Sequence, residues 1–199
     1  MVITDPDLFK GRDPVAVCRA AVRGGATMIQ VRWKDGTPSA VVELARALVD
    51  ALPVPILVND RVDIALAAGA AGAHLGWEDV PLTPLRPHLP AGFLLGISVG
   101  SADEAARAAG LPADYWSVGP CFTTPSKADA GPALGPEGFA ALARLAPEDI
   151  PVIGVGGITA VNAPQIISGG AAGVAVIGAV LSARDPESAA RALAAAARA

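Results

Sequence analysis

This sequence has few of the residues that usually serve nucleic-acid, membrane or redox functions. Aromatic residues make up 4% of its 199 residues, and acidic side chains outnumber basic ones, which gives a formal net charge of −4. So few rings and so little positive charge disfavour a nucleic-acid partner. Although 52% of the residues are hydrophobic, no apolar run reaches the roughly 18 residues that a membrane helix needs. We therefore expect no membrane partner.

Cysteine is also scarce. Cys18 and Cys121 are the two in the chain, and two cysteines cannot build a disulfide framework. A catalytic thiol at Cys121 is one interpretation, but no histidine lies near it in the sequence, so we favour an inert small side chain. Met1 is followed by Val-Ile-Thr-Asp, without the basic start or apolar stretch of a signal peptide. These features predict a soluble, cytoplasmic protein.

Lysine is the scarcest of the common charged residues. Of 15 basic side chains, three are lysines, namely Lys10, Lys34 and Lys127. Lys127 lies in the loop G-P-C-F-T-T-P-S-K-A-D over residues 119–129, together with Thr124 and Ser126. Hydroxyls and an ammonium on a long loop suit an anionic substrate, although ordinary turn residues at the surface would look similar.

Short apolar segments alternate with helical ones along the whole chain. The strands are predicted over residues 2–4, 28–32, 55–58, 72–75, 93–98, 115–118, 151–155 and 173–177. The helices are predicted over 14–23, 38–51, 61–68, from 81 or 83, 102–109, 135–146, 159–168 and, after a shorter one, 186–198. Strands that are apolar throughout indicate a parallel sheet buried on both faces. Eight of them predict an α/β fold, a single-domain (β/α)8 TIM barrel over residues 1–199, with a doubly wound open sheet as the alternative.

In such a barrel the active site lies at the carboxyl ends of the strands. The second strand ends with Gln30, Arg32 and Lys34 in alternation, which predicts that they share the inward face. A guanidinium fork, an ammonium and a neutral amide would together suit a diphosphate. A solvated strand end without a ligand is the alternative.

Carboxylates follow the next two strands. The third strand ends at Asn59-Asp60, and Asp79 follows the fourth. Because these strands are neighbours, the two aspartates can approach each other, and two carboxylates beside a basic pocket suggest Mg²⁺. Asp63 and Glu78 are nearby alternative ligands, and Asp60 could also cap its helix. We expect His74 to be a buried, hydrogen-bonded histidine rather than a ligand.

Glycine and hydroxyl groups mark the later strand ends. Ser98 ends the fifth strand, the segment 154–159 reads G-V-G-G-I-T, and the eighth strand ends in V-I-G-A over 176–179. Glycines let the backbone approach a ligand, and loops after strands seven and eight often bind phosphate in this fold. The pattern therefore predicts a second anion site, and two phosphorylated small-molecule substrates.

These motifs, in this order, resemble those of thiamine phosphate synthases (thiamine-phosphate pyrophosphorylases). The matching segments are Q-V-R-W-K, V-N-D, H-L-G-W-E-D, G-I-S, G-P-C-F-T-T-P-S-K, G-V-G-G-I and V-I-G-A. They extend over nearly the whole chain. The resemblance implies a transferase that couples hydroxymethylpyrimidine diphosphate to hydroxyethylthiazole phosphate and releases pyrophosphate. It also implies a dissociative reaction, in which pyrophosphate leaves before the thiazole nitrogen attacks a pyrimidine carbocation.

The resemblance assigns roles to individual residues. The pyrimidine diphosphate would be held by Gln30, Arg32, Lys34, Asn59, Ser98 and Lys127, of which Arg32, Lys34, Ser98 and Lys127 would be catalytic. The thiazole phosphate would be held by Thr124, Ser126, Gly157, Ile177 and Gly178. Mg²⁺ would be bound by Asp60 and Asp79.

The chain departs from the usual family pattern at four places. Trp33 stands where Glu is usual, Trp77 where Gln is usual, and Ser126 where Thr is usual, and Val99-Gly100 replace a segment that often holds His. Two other functions compete with the synthase: a thiazole tautomerase-like isomerase and a non-catalytic phospholigand-binding barrel. The fold is also compatible with a homo-oligomer.

Overall fold

The computed structural model describes residues 1–124 and 131–198 and contains one sheet of eight parallel strands. The strands are β1 (Val2–Ile3), β2 (Ile29–Val31), β3 (Ile56–Asn59), β4 (Gly72–Leu75), β5 (Leu94–Val99), β6 (Tyr115–Val118), β7 (Val152–Val155) and β8 (Gly173–Ala175). Each strand pairs with the next along the chain. A parallel bridge between Val2 and Val176 returns the sheet to its first strand. The predicted (β/α)8 barrel is confirmed, and the open sheet is excluded.

Helices lie between the strands. They are α1 (Pro6–Phe9), α2 (Pro14–Arg23), α3 (Pro38–Ala51), α4 (Val62–Ala68), α5 (Leu82–Leu85), a 3-10 turn (Arg86–His88), α6 (Ala102–Ala108), α7 (Gly135–Ala143), α8 (Ala163–Ser168), α9 (Gly178–Leu181) and α10 (Pro186–Ala196). The side chains of Asp13, Thr37 and Ser101 cap α2, α3 and α6. In the two described ranges, no helix is both long enough and apolar enough to cross a membrane.

The side chains of each strand point alternately to the outer and the interior face of the sheet. Ile29, Val31 and Val58 are fully buried on the outer face of the sheet, as expected when helices cover it. Partners in a parallel register point to the same side of the sheet. His74 is paired with Gly96, and Gly96 with Tyr115, so these three residues share the interior face of the barrel.

The structure differs from the prediction at several boundaries. Helix α8 begins at Ala163 rather than Thr159, because Pro164 in its first turn has no amide hydrogen to donate to the Ala160 carbonyl. The Asn162 side chain accepts a hydrogen bond from the Thr159 amide at 2.7 Å. The same side chain donates to the Gly157 carbonyl at 3.1 Å and stabilises a turn there. Helix α1, which Asp5 caps, was not predicted from the sequence. The remaining element boundaries agree within a few residues.

Candidate active site

Two aspartates from neighbouring strand ends form a carboxyl pair at the mouth of the barrel. Asp60 follows β3, where its backbone has a φ of 63° and its amide donates to the His74 carbonyl at 2.8 Å. Asp79 follows β4 and accepts from the Gly76 amide at 2.7 Å. Burial, the charge of Asp79 and a hydrogen bond between the two carboxyl groups raise the pKa of Asp60 to about 6. The two side chains are therefore in contact.

Two cations stand beside this carboxyl pair. The positive charges of Lys34 and Arg32 oppose the increase in the pKa of Asp60, which requires both charges to be near its carboxyl group. Arg32 is half-buried, and Lys34 is exposed. The mouth of the barrel thus brings two acidic and two basic side chains into one cluster.

The carboxyl pair has the chemistry of a magnesium site. Mg²⁺ is usually held by one or two carboxylates together with phosphate oxygens and water. No cluster of three possible His, Cys, Asp or Glu ligands occurs in residues 1–124 and 131–198. Two carboxyl groups held in contact, with the pKa of Asp60 raised by burial and by the charge of Asp79, fit this role. Of the predicted alternatives, Asp63 is paired with Arg61 at 2.5 Å and Glu78 is exposed.

The backbone at the end of β2 is fixed by a buried threonine. The Thr4 hydroxyl accepts from the Arg32 amide at 2.9 Å and donates to the Arg32 carbonyl at 3.1 Å. The strand ends at Val31, and a turn follows in which the Gly36 amide donates to the Trp33 carbonyl. The predicted strand-like alternation through Lys34 is therefore wrong, because Lys34 lies in the turn, although it still approaches Asp60.

Gln30 lies deeper than the sequence suggested. It is 3% exposed, and its amide nitrogen is 3.7 Å from the Met1 sulfur. It also hydrogen-bonds Tyr115 of β6. Ser98 is half-buried on β5, and Asn59 is half-buried at the end of β3, paired in register with His74. These side chains follow the interior face toward the mouth.

The loops after β6 and β7 pack directly on each other at what we term the loop junction (Gly119, Pro120 and Phe122 against Val155, Gly156 and Gly157). The Cys121 amide donates to the Val155 carbonyl at 2.8 Å, and the Phe122 amide to the Gly156 carbonyl at 3.0 Å. A side-chain carbon added at Gly157 would lie 2.6 Å from the Thr123 carbonyl oxygen. The glycines are therefore needed for close approach of the two loops.

Cys121 lies within the same region and has no free access to solvent. It is fully buried, and burial raises the pKa of its thiol to about 12. A thiol that keeps its proton is a poor nucleophile. This agrees with the expectation of an inert small side chain.

The predicted second anion site draws on three strand ends. Gly157 follows β7, while Ile177 and Gly178 stand at the start of α9, after β8. Arg12 holds α9 in place, because its guanidinium donates to the carbonyls of Leu181 and Ala183. Thr124 is half-buried near the loop junction. Ser126 and Lys127 lie outside the described residues.

Trp33 and Trp77, the two tryptophans that depart from the family pattern, contact other parts of the surface of the protein. The guanidinium carbon of Arg107, on α6, lies 4.1 Å from the centre of the Trp77 ring. The Trp33 ring lies over Gly36, where an added side-chain carbon would be 2.7 Å from it. Both rings also pack on the hydrophobic core. Each ring is thus fixed by neighbours in its own region.

Sequence reasoning missed three residues that shape this site. Tyr115 and Gly96 are paired on the interior face, and Asn162 braces the loop after β7. An aromatic residue at the start of a strand gives no sign of what it will contact across a barrel. The one signal that the sequence offered for Asn162 is its rarity, since the chain has two asparagines.

Comparison with known proteins identifies the family. The family described as thiamine monophosphate synthase matches residues 1–180. The thiamine-phosphate synthase of Roseiflexus castenholzii is 46% identical over 195 residues, covering 96% of this chain and 85% of that protein. That of Methanoculleus marisnigri is 45% identical over 197 residues, covering 96% and 92%.

Solved structures agree. The thiamine phosphate pyrophosphorylase of Pyrococcus furiosus is 36% identical, with a TM-score of 0.88 over 99% of this chain and 94% of that one. The orotidine 5'-phosphate decarboxylase of Pyrococcus horikoshii, at 18% identity and a TM-score of 0.74 over 100% of both chains, shares the fold alone. From the sequence match and these relatives, the chain belongs to the thiamine monophosphate synthase family and is a transferase.

Proposed function

We propose that this protein joins hydroxymethylpyrimidine diphosphate to hydroxyethylthiazole phosphate, giving thiamine phosphate and pyrophosphate. The observation that carries this proposal is the cluster of Asp60, Asp79, Arg32 and Lys34 at the mouth of the barrel. Paired carboxylates next to two cations provide for a divalent cation and for the oxygens of a diphosphate at the same place.

The diphosphate is the leaving group, and the basic side chains stabilise it. Arg32 offers a fork of donors, and Lys34 offers a point charge. Gln30, Asn59, Ser98 and Lys127 complete the proposed set for this substrate. As the carbon–oxygen bond to the diphosphate breaks, negative charge would gather on the oxygens that these donors are proposed to bind. Such electrostatic stabilisation needs no protein nucleophile, in agreement with the buried thiol of Cys121.

The second substrate is held on the opposite side of the mouth. The proposed set for the thiazole phosphate is Thr124, Ser126, Gly157, Ile177 and Gly178. Its phosphate anchors the thiazole so that the ring nitrogen faces the pyrimidine carbon, which converts the encounter into an oriented reaction within one complex. The loop junction supports this arrangement, because it fixes Thr123 against Gly157.

Mg²⁺ is the proposed cofactor, with Asp60 and Asp79 as its ligands. When bound, it would supply positive charge to the diphosphate oxygens of the leaving group. The raised pKa of Asp60 supports this choice, because a divalent cation would relieve the repulsion between the two carboxylates.

The test is a measurement of products with both substrates and Mg²⁺ present. We expect equal amounts of pyrophosphate and thiamine phosphate, and neither product when one substrate or the metal is omitted. Tautomerisation of a thiazole without pyrophosphate would support the isomerase instead. Tight binding of both phosphorylated compounds without turnover would support the non-catalytic barrel.

A pair of variants tests the metal ligands within the same assay. Asp60→Asn should raise the Mg²⁺ concentration needed for half-maximal activity. Asp63→Asn serves as the matched control, because Asp63 lies close by in the sequence but is exposed and paired with Arg61. An unchanged Mg²⁺ titration in Asp60→Asn would remove this residue from the metal site.

A further inference from the structure

A chain of four polar side chains crosses the interior of the barrel. Gln30 of β2 hydrogen-bonds Tyr115 of β6. The Tyr115 hydroxyl lies 2.9 Å from Nδ1 of His74 on β4, and Nε2 of His74 lies 3.0 Å from the Ser98 hydroxyl on β5. Four strands thus contribute to one continuous set of hydrogen bonds, and its last member is a proposed substrate-binding residue.

The geometry of this chain depends on a missing side chain. A carbon added at Gly96 would lie 2.1 Å from the ring carbon that bears the Tyr115 hydroxyl. The Tyr115 ring therefore occupies the space next to Gly96 of β5, and it also stacks on His74, with ring centres 5.5 Å apart and an angle of 26° between the planes. Tyr115 is 6% exposed, and so is His74. The pair is held by packing as well as by its hydrogen bond.

The direction of the hydrogen bonds follows from the Tyr115 hydroxyl. Tyr115 is buried, and burial raises the pKa of its phenol, so the hydroxyl keeps its hydrogen. A buried hydroxyl needs an acceptor for that hydrogen, and Nδ1 of His74 lies 2.9 Å from the phenolic oxygen. The phenol therefore donates to Nδ1 of His74.

The remaining steps follow from the donors and acceptors of imidazole. A neutral histidine has one bare nitrogen and one N–H. If Nδ1 accepts from Tyr115, the hydrogen is on Nε2, which then donates to the Ser98 oxygen. Ser98 uses an acceptor position for this bond and keeps its own hydrogen for another partner. Reversing the order would leave the buried phenolic hydrogen without this acceptor, which is unfavourable.

We propose that Tyr115 and His74 are positioning residues, which hold the Ser98 hydroxyl as a hydrogen-bond donor toward an acceptor atom of the diphosphate-bearing substrate. This inference rests on the proposed function, in which Ser98 binds that substrate. Neither Tyr115 nor His74 needs to touch the substrate or to change its charge during the reaction. Their part is to fix the histidine tautomer, and through it the orientation of one hydroxyl.

The first test measures the tautomer without substrate. The chain has two histidines, so protein labelled with ¹⁵N in histidine rings gives two sets of signals, and His88→Gln assigns them. At pH 8 we expect His74 of the wild-type protein to carry its hydrogen on Nε2. In Tyr115→Phe, which keeps the ring and removes the hydroxyl, we expect the population to shift toward the Nδ1 form. A wild-type His74 protonated on Nδ1 would overturn the proposal.

The second test is a double-mutant cycle on pyrophosphate release. Ser98→Ala should lower kcat/KM for the diphosphate substrate by about tenfold or more, and Tyr115→Phe by about three- to tenfold. In the Ser98→Ala background, Tyr115→Phe should change kcat/KM by less than about twofold, because the hydroxyl that Tyr115 helps to position is already absent. The KM for the thiazole phosphate should stay unchanged. The control His88→Gln, at an exposed position, should match the wild type in every parameter.

The outcomes separate the two proposals. Equal losses from Tyr115→Phe in both backgrounds would mean a general structural role and would overturn the positioning role, as would full activity in Tyr115→Phe. Absence of pyrophosphate release from the wild-type protein would instead refute the proposed function. The tautomer measurement needs no substrate, so it decides the order of the hydrogen bonds even then.

Discussion

Replacing Asp60 by Asn should stabilise this protein when no metal is present, although it damages the proposed metal site. The wild-type fold holds the Asp60 carboxylate against Asp79 and away from water, and these effects raise its pKa from 3.8 to about 6. Asn has a similar shape and cannot ionise, and it tolerates the left-handed backbone found at this position. The substitution therefore removes a repulsion and leaves the local conformation intact.

The magnitude follows from the shift in pKa. A difference of about 2 pKa units corresponds to about 3 kcal/mol at 1.36 kcal/mol per unit. Because the side chain is half-buried, solvent screening reduces this to about 1–1.5 kcal/mol. For a chain of this length such a gain raises Tm by about 2–6 °C.

The stabilising effect of Asp60→Asn should disappear at low pH. A pKa raised by folding favours the protonated group in the folded state, so the unfavourable contribution is absent below pH 3.8 and complete above about pH 6. The advantage of Asp60→Asn should therefore be greatest at pH 7.5, about half as large at pH 5, and negligible near pH 4.

The assay is thermal unfolding in EDTA, and then with Mg²⁺ and pyrophosphate. Ligands that bind only the folded state should stabilise the wild type, by about 1.4 kcal/mol at ten times Kd, and stabilise Asp60→Asn much less. Asp63→Asn is the control, and its expected effect on stability has the opposite sign. Arg61 lowers the pKa of Asp63, so removal of the Asp63 carboxylate should lower the free energy of unfolding, by at most about 0.5 kcal/mol. A lower Tm for Asp60→Asn in EDTA at pH 7.5 would refute the reasoning.

Three further predictions concern the loops and the tryptophans. Lys127→Ala should lose most of the turnover while unfolding at the wild-type temperature; activity near wild type would contradict the assigned role. Gly157→Ala should lower stability more than Gly170→Ala, where an added carbon meets nothing within 4 Å and only backbone strain of about 1–2 kcal/mol remains. Gly157→Ala should also raise the KM for the thiazole phosphate, and equal effects in both variants would argue against the loop junction. Trp77→Phe should keep kcat/KM within about twofold, since its ring is stacked against Arg107; a large loss would mean that the indole serves the site.

The fold was readable from the sequence because its signals are local. The strands β4 and β6 match the predicted ranges 72–75 and 115–118, since each is a short run bounded by turn residues. Helix α8 was less readable. The sequence predicts a start at Thr159, but Pro164 has no amide hydrogen for the Ala160 carbonyl, so the regular helix starts at Ala163. An apolar pattern does not show which backbone hydrogen bond is missing.

The candidate site could be predicted from the sequence only where its residues lie at the ends of neighbouring strands. Asp60 and Asp79 follow consecutive strands, so barrel topology alone predicts that they approach each other. Contacts across the barrel were not readable, because they depend on which residues face inward and how large they are. The bond between Tyr115 and His74 requires an empty position at Gly96, and no single motif records that combination.

The loop junction has a consequence for how this barrel can be re-engineered or diversified. In many barrels the loops at the mouth are treated as separate modules that can be exchanged one at a time. Here the backbone of the loop after β6 rests on Gly156 and Gly157, with hydrogen bonds from Cys121 and Phe122 to the next strand end. A graft that replaces either loop alone would bring side chains into that contact. The two loops should therefore be transplanted, and inherited, as one unit.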